Sequence, residues 1–290
     1  MNPVDPESNA QPDEADLPAG PRAELVYAEN SVPRDGIAPG EPGPLLRWRD
    51  LAYLAVFYLV VGAALAKGAL VAAAAILHTT QDALQDIPAA YVAAVAISQA
   101  LVSVAVLGFL WLLVRSRGAA PFWPALGWRA FPAEMPRAAL AVRYMLGGAA
   151  LAIAIQGASY FAGTKSSVPM ENFFRDRPSV LMMMALGILV APLIEETLFR
   201  GCIYPVVART FGMPAGILVT GVLFGLAHSL QLAGAWKQVA LVTVVGIVLT
   251  YIRARTGTVL ASFCVHLGYN SLLFGAFYVA THGLRYFPGS

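Results

Sequence analysis

The sequence predicts an all-α fold, a polytopic transmembrane bundle of about seven or eight helices. Three observations carry this prediction. Hydrophobic residues make up 58% of the 290 residues and charged residues only 12%, whereas soluble domains carry about 25% charged residues. Apolar runs long enough to cross a ~30 Å hydrocarbon core, which takes about 20 residues, recur at approximately 51–77, 89–114, 138–163, 180–208, 215–233, 236–254 and 258–282. Between them lie connectors with loop chemistry, such as HTTQDALQDIP at 78–88 and TKSSVPMENFFRDRPS at 164–179.

The remaining charge is unevenly placed. Residues 1–46 hold nine prolines and nine of the seventeen acidic residues, too little apolar surface to fold, and read as a disordered acidic tail. The tail has no basic stretch leading into an apolar core, so it is not read as a signal peptide. Residues 47–290 form the transmembrane domain. Arg47, Arg49, Arg115, Arg117, Arg129, Arg137, Arg200, Arg209, Arg253 and Arg255 fall on one side of this threading, against fewer cations opposite. The positive-inside rule then puts the N-terminus in the cytoplasm of a multi-pass cell-membrane protein. A net charge of +2 without a basic stripe argues against nucleic acid as a partner and leaves the lipid bilayer as the main surroundings. Phe122, Trp123, Trp128 and Phe131, interleaved with prolines and arginines, suit a segment anchored at the headgroup level. Cys202 and Cys264 match no metal spacing and read as buried apolar side chains.

Against this background APLIEETLFRG, residues 191–201, stands out, because from Val180 to the C-terminus Glu195 and Glu196 are the only carboxylate side chains. A charge near the bilayer centre costs several kcal/mol and marks a functional candidate. Glu196 and Arg200 are four residues apart on one helix and can pair, whereas Glu195 points about 100° away. Glu196 is therefore the supported charge and Glu195 the reactive one. His228 closes VLFGLAHS, and His266 and Asn270 share one face of the last helix. At ~1.5 Å rise per residue, Glu195, His228 and Asn270 fall about 18–20 Å from the presumed cytoplasmic end of their spans and His266 about 12 Å.

A carboxylate, two imidazoles and an amide form a kit for peptide hydrolysis. The carboxylate takes a proton from water, a histidine orients that water, and donors from a histidine and an asparagine hold the oxyanion. The same Glu195, His228 and His266 can instead hold Zn²⁺ with an open position. No organic cofactor is implied, and nothing in the sequence sets an oligomeric state.

EETLFR has the form EExxxR, FGLAH (224–228) the form FxxxH with Phe224 at its head, and HLGYN (266–270) the form HxxxN, in that order. Residues 180–275 thereby resemble the intramembrane endopeptidases related to the type II CAAX prenyl protease, the CAAX-protease and bacteriocin-processing family. The resemblance implies that Glu195 and His228 activate the hydrolytic water, that His266 and Asn270 form the oxyanion site, and that Glu196 and Arg200 complete the first motif, with Phe224 in support. It also implies a membrane-bound or lipidated peptide substrate. The competing readings are a non-proteolytic membrane scaffold or immunity protein, and a proton-coupled transporter using the buried carboxylate.

Overall fold

The computed structural model describes residues 45–118, 121–132, 136–164, 173–174, 176–232 and 234–285. The expected disordered tail at 1–46 lies outside them except for Leu45 and Leu46, and Leu46 is buried in the cluster around Leu110 and Val206. The protein is a helical membrane bundle. Among the described residues six helices are long and apolar enough to cross a bilayer: α1 (Trp48–Ile76), α2 (Pro88–Ser116), α3 (Arg137–Phe161), α4 (Arg177–Phe211), α6 (Trp236–Thr256) and α7 (Val259–Ala280). Between α4 and α6 lies α5 (Met213–Ala227), which has only 15 residues.

That length corrects the expected span at 215–233. At ~1.5 Å per residue α5 covers only about 22 Å, and the chain leaves the helix at His228, where turns begin. The apolar run was read past its end because Leu230 and Leu232 continue the hydrophobic composition after the helical geometry has stopped.

Sequence chemistry sets the helix ends. Asp176 caps α4 by accepting from the Ser179 N–H at 2.8 Å, and Thr258 caps α7 through the Leu260 N–H at 3.1 Å. Gly257, at φ +69°, closes α6 in the left-handed conformation that glycine adopts without strain. Asp50, buried in the first turn of α1, accepts from the Arg47 N–H and pairs with Arg117 at the end of α2, tying these two helices at one end. Along their length Leu54, Val102 and Val106 pack together and the rings of Phe57 and Phe109 stack 4.3 Å apart.

Helix α4 is not a regular α-helix. Leu186–Val190 and Thr197–Ile203 are π-helical, with hydrogen bonds reaching five residues back. Each wide segment stops two residues before a proline, Pro192 and Pro205. A proline lacks the N–H for the next rung and its ring collides with the carbonyl four residues earlier. Widening the preceding turn relieves that collision without breaking the span. Glu195 and Glu196 lie on the six-residue α-helical piece between the two bends, Ala191–Glu196.

The contact between α3 and α7 is a backbone-to-backbone approach through reciprocal glycines. A Cβ on Gly148 would overlap the carbonyl oxygen of Val265, and one on Gly268 that of Met145. Close approach through small residues is a principal source of helix association in lipid. Gly268→Leu is expected to cost about 1–3 kcal/mol or more by overpacking, read as a lower thermal unfolding midpoint of the purified protein. Gly147, whose Cβ would meet nothing within 4 Å, is the control. Gly147→Ala should leave the midpoint unchanged or raise it slightly.

Candidate active site

Four helices build the polar centre. From α4 come Glu195, Glu196 and Arg200, with His228 at the end of α5, Gly246 and Thr250 on α6, and His266 on α7. Arg200 is fully buried. Its Nη1 donates to Glu196 Oε1 at 2.9 Å, its Nη2 to the Gly246 carbonyl at 2.9 Å and its Nε to Thr250 Oγ1 at 3.3 Å. The guanidinium carbon also lies 4.5 Å from the centre of the Phe224 ring, within cation–π range. Thus Phe224 supports the first motif from a different helix, and the expected Glu196–Arg200 pair is formed.

Glu196 also has a partner that helical spacing did not supply. His266 Nδ1 lies 3.0 Å from Glu196 Oε1, so the oxygen that takes Arg200 takes the imidazole as well. Ser262, buried one turn before His266 on α7, sits beside the same carboxylate. Glu196 is thereby sealed off, with no exposed side-chain surface, while the Glu195 side chain keeps 25% of its surface accessible.

Glu195 faces both histidines. His228 Nε2 is 3.9 Å from Glu195 Oε1, and His266 Nε2 is 3.8 Å from Oε2. The other nitrogen of each ring is occupied. His228 Nδ1 stands 2.8 Å from the Phe224 carbonyl oxygen, which can only accept, so Nδ1 carries the proton. The Glu196 carboxylate likewise draws the Nδ1 proton of His266. The two Nε2 lone pairs are therefore turned towards Glu195, with Phe224 between the rings, 4.6 Å from His228 and 5.9 Å from His266.

Tetrahedral zinc with ligand bonds of ~2.0–2.1 Å holds neighbouring donor atoms about 3.4 Å apart. At 3.8 and 3.9 Å those angles would open to roughly 135°. Among the described residues no group of three or more His, Cys, Asp or Glu side chains is arranged to hold a metal ion. The donor atoms of Glu195, His228 and His266 therefore stand somewhat wider apart here than tetrahedral zinc would hold them. Two acceptor nitrogens around a carboxylate at this spacing suit a bridging water molecule, whose two protons both find acceptors.

The Asn270 Nδ2 donates to the Gly187 carbonyl on α4 at 2.6 Å. Three contributions to the site went unread in the sequence. Thr250 and the Gly246 carbonyl reach Arg200 across α6 without any charged residue to mark them. Tyr58 on α1 lies within range of the Glu195 charge. Trp128, expected at the headgroup level, donates its indole N–H to Thr197 Oγ1 at 3.1 Å and packs on Phe263, and Phe131 is buried beside Ala261 and Cys264, so this part of the interfacial segment anchors onto the protein.

Fold and site together define a multi-pass membrane protein with a carboxylate–histidine centre enclosed between helices. Residues 177–272, about a third of the chain, match the family model described as type II CAAX prenyl endopeptidase Rce1-like. That match includes all three motifs and bears out the family resemblance over this segment. Over 126 residues the chain is 32% identical to an uncharacterized 24.3 kDa protein of Escherichia coli, an overlap of 40% of this chain and 57% of that relative. The chain thus covers little more than half the length of that curated relative. No solved structure matches it.

Proposed function

We propose that the protein is an intramembrane endopeptidase that hydrolyses a peptide bond in a membrane-bound or lipidated substrate, with Glu195 as the general base. The observation that supports this most directly is the convergence of the His228 and His266 Nε2 atoms on Glu195 at 3.9 and 3.8 Å, with each Nδ1 tied back into the protein. A water in that space donates one proton towards Glu195 and the other towards His228 Nε2. Its oxygen attacks the scissile carbonyl carbon as Glu195 takes the first proton.

The developing oxyanion needs a donor. His266 Nε2 is an acceptor in the resting centre, so it serves here only once it has taken up a proton, with Glu196 on Nδ1 holding the charged ring as aspartate holds the histidine of a serine protease. The C–N bond then breaks, the proton held by Glu195 passes to the departing amine, and a carboxylic acid and an amine leave. No step passes through a metal. We place the protein in the cell membrane with its N-terminus cytoplasmic.

The test is a comparison of membrane peptides from cells making the wild-type protein or Glu195→Ala at equal abundance. Fragments present only with wild type, still formed when a zinc chelator is added to isolated membranes, are the expected result. Identical peptide profiles from the two proteins would overturn the proteolytic reading, and loss of the fragments on chelation would overturn the metal-free mechanism.

A further inference from the structure

We infer that the groove between α3, α6 and α7 binds an anionic phospholipid of the surrounding bilayer, with its phosphate on Arg143 and one acyl chain laid along the groove. The inference does not depend on the proteolytic reading. Arg143, Tyr144 and Gly147 of α3, Val248 and Ile252 of α6 and Val265 of α7 line a cavity of about 490 Å³, within the range of about 300–1,000 Å³ usual for small-molecule sites. Apart from the Arg143 guanidinium and the Tyr144 hydroxyl these side chains are apolar, so the space suits a hydrocarbon chain joined to one anionic group.

The charge of Arg143 calls for such a partner. Arg143 lies six residues, about 9 Å, beyond Arg137 at the start of α3, and it is exposed on a face that meets lipid. A cation at this depth needs an anion or water. Helices α3, α6 and α7 contain no Asp or Glu, and among the described residues Arg143 has no hydrogen-bond or ion-pair partner. Side chains on a helix lean towards its N-terminus, which directs the guanidinium back towards the headgroup level. There the bilayer itself supplies phosphate, and the planar guanidinium takes two of its oxygens at once.

The surroundings fit the same occupant. Leu140 and Ala141 of α3 pack with Ala261 and Cys264 of α7 and with Ile252 of α6, so the groove lies in the half of the bundle whose helix ends carry Arg137, Arg253 and Arg255. Basic pockets between membrane helices are where anionic headgroups bind. Two adjacent glycines shape the groove in different ways. Gly148 brings α3 against the Val265 carbonyl, whereas a Cβ on Gly147 would meet nothing within 4 Å, which leaves the groove unfilled beside that contact. Val265 lines the groove and the next residue, His266, stands at Glu196. A bound acyl chain therefore packs against the stretch of α7 that carries His266.

The experiment titrates the full-length protein in detergent with phosphatidylglycerol or with phosphatidylethanolamine of the same acyl chains. Native mass spectrometry counts the bound lipid, and the thermal unfolding midpoint is recorded beside it. Wild type, Arg143→Gln, Arg255→Gln and Gly147→Leu are compared. One phosphatidylglycerol is expected to bind wild type about fivefold more tightly than phosphatidylethanolamine and to raise the midpoint. Arg143→Gln should lose that preference, and Gly147→Leu should weaken both lipids by filling the groove. Arg255→Gln removes a charge from the same end of the bundle outside the groove and should leave binding nearly unchanged. Equal losses in the two arginine variants would reduce the effect to diffuse attraction by a basic surface and overturn the inference. Equal binding of the two lipids to wild type would overturn it as well. A dimer that Gly147→Leu abolishes and phosphatidylglycerol does not displace would give the groove to a second copy of the chain instead. Where Gly147→Leu cannot be recovered folded, the two arginine variants, which change only exposed side chains, decide the outcome.

Discussion

Glu195→Gln is expected to lower kcat/KM for any substrate found by the peptide comparison by about 10³-fold, within the range typical of removing a positioned general base. The amide keeps the shape of the carboxylate and its place beside both imidazoles but cannot take a proton from water. Its thermal unfolding midpoint should stay close to that of the wild type, because Glu195 lies partly exposed and supports no buried partner. Glu196→Gln offers the contrast. It weakens the anchor of both Arg200 and His266, so its loss of activity should come with a lower midpoint. A purified Glu195→Gln protein retaining more than about a tenth of wild-type kcat/KM would remove Glu195 from the role of base.

Arg200→Ala is expected to have the largest effect on stability. Removing one member of a buried ion pair leaves the other charge without compensation, at a typical cost of 3–5 kcal/mol. Here Glu196 keeps only the uncharged help of Ser262 beside His266, and the Gly246 carbonyl and Thr250 hydroxyl lose their donor as well. Arg200→Lys should recover only part of the loss, since an ammonium cannot satisfy three acceptors in fixed directions as the planar guanidinium does. Combining Arg200→Met with Glu196→Gln should fold better than Arg200→Ala, because no buried charge is then stranded. Thermal unfolding of the solubilised proteins measures the order. An Arg200→Ala midpoint within about 2 °C of wild type would show that the pair carries little of the stability.

The spans were legible because a lipid-crossing helix must be apolar for its whole length, a signal that tertiary structure cannot hide. The division between Glu195 and Glu196 was legible too, since four-residue spacing is a property of one helix. What helical spacing could not supply was any partner brought by another helix. Depth counting placed Glu195, His228 and Asn270 at one level and His266 shallower, whereas the structure brings His266 as well as His228 to within 4 Å of Glu195. Within α4 the first π segment, Leu186–Val190, also shifts the register of Glu195 and Glu196 relative to a regular helix. The trace of the two π segments in the sequence was Pro192 and Pro205 inside an otherwise unbroken span, a signal open to reading. The early end of α5 had no such trace, because Leu230 and Leu232 are as apolar as the helix before them.

The ties from Arg200 to Gly246 and Thr250, and from Glu196 to His266, have a consequence for how the chain is made. Helix α4 leaves the ribosome before α6 and α7 exist, so for that interval it carries two carboxylates and a guanidinium with only the pair within the helix to shield them. Such a segment is poorly suited to lipid on its own. It gains a settled place only once α6 has supplied acceptors for the guanidinium and α7 has brought an imidazole to the carboxylate. The polar ties of the C-terminal half are thus complete only once the last helix is in place.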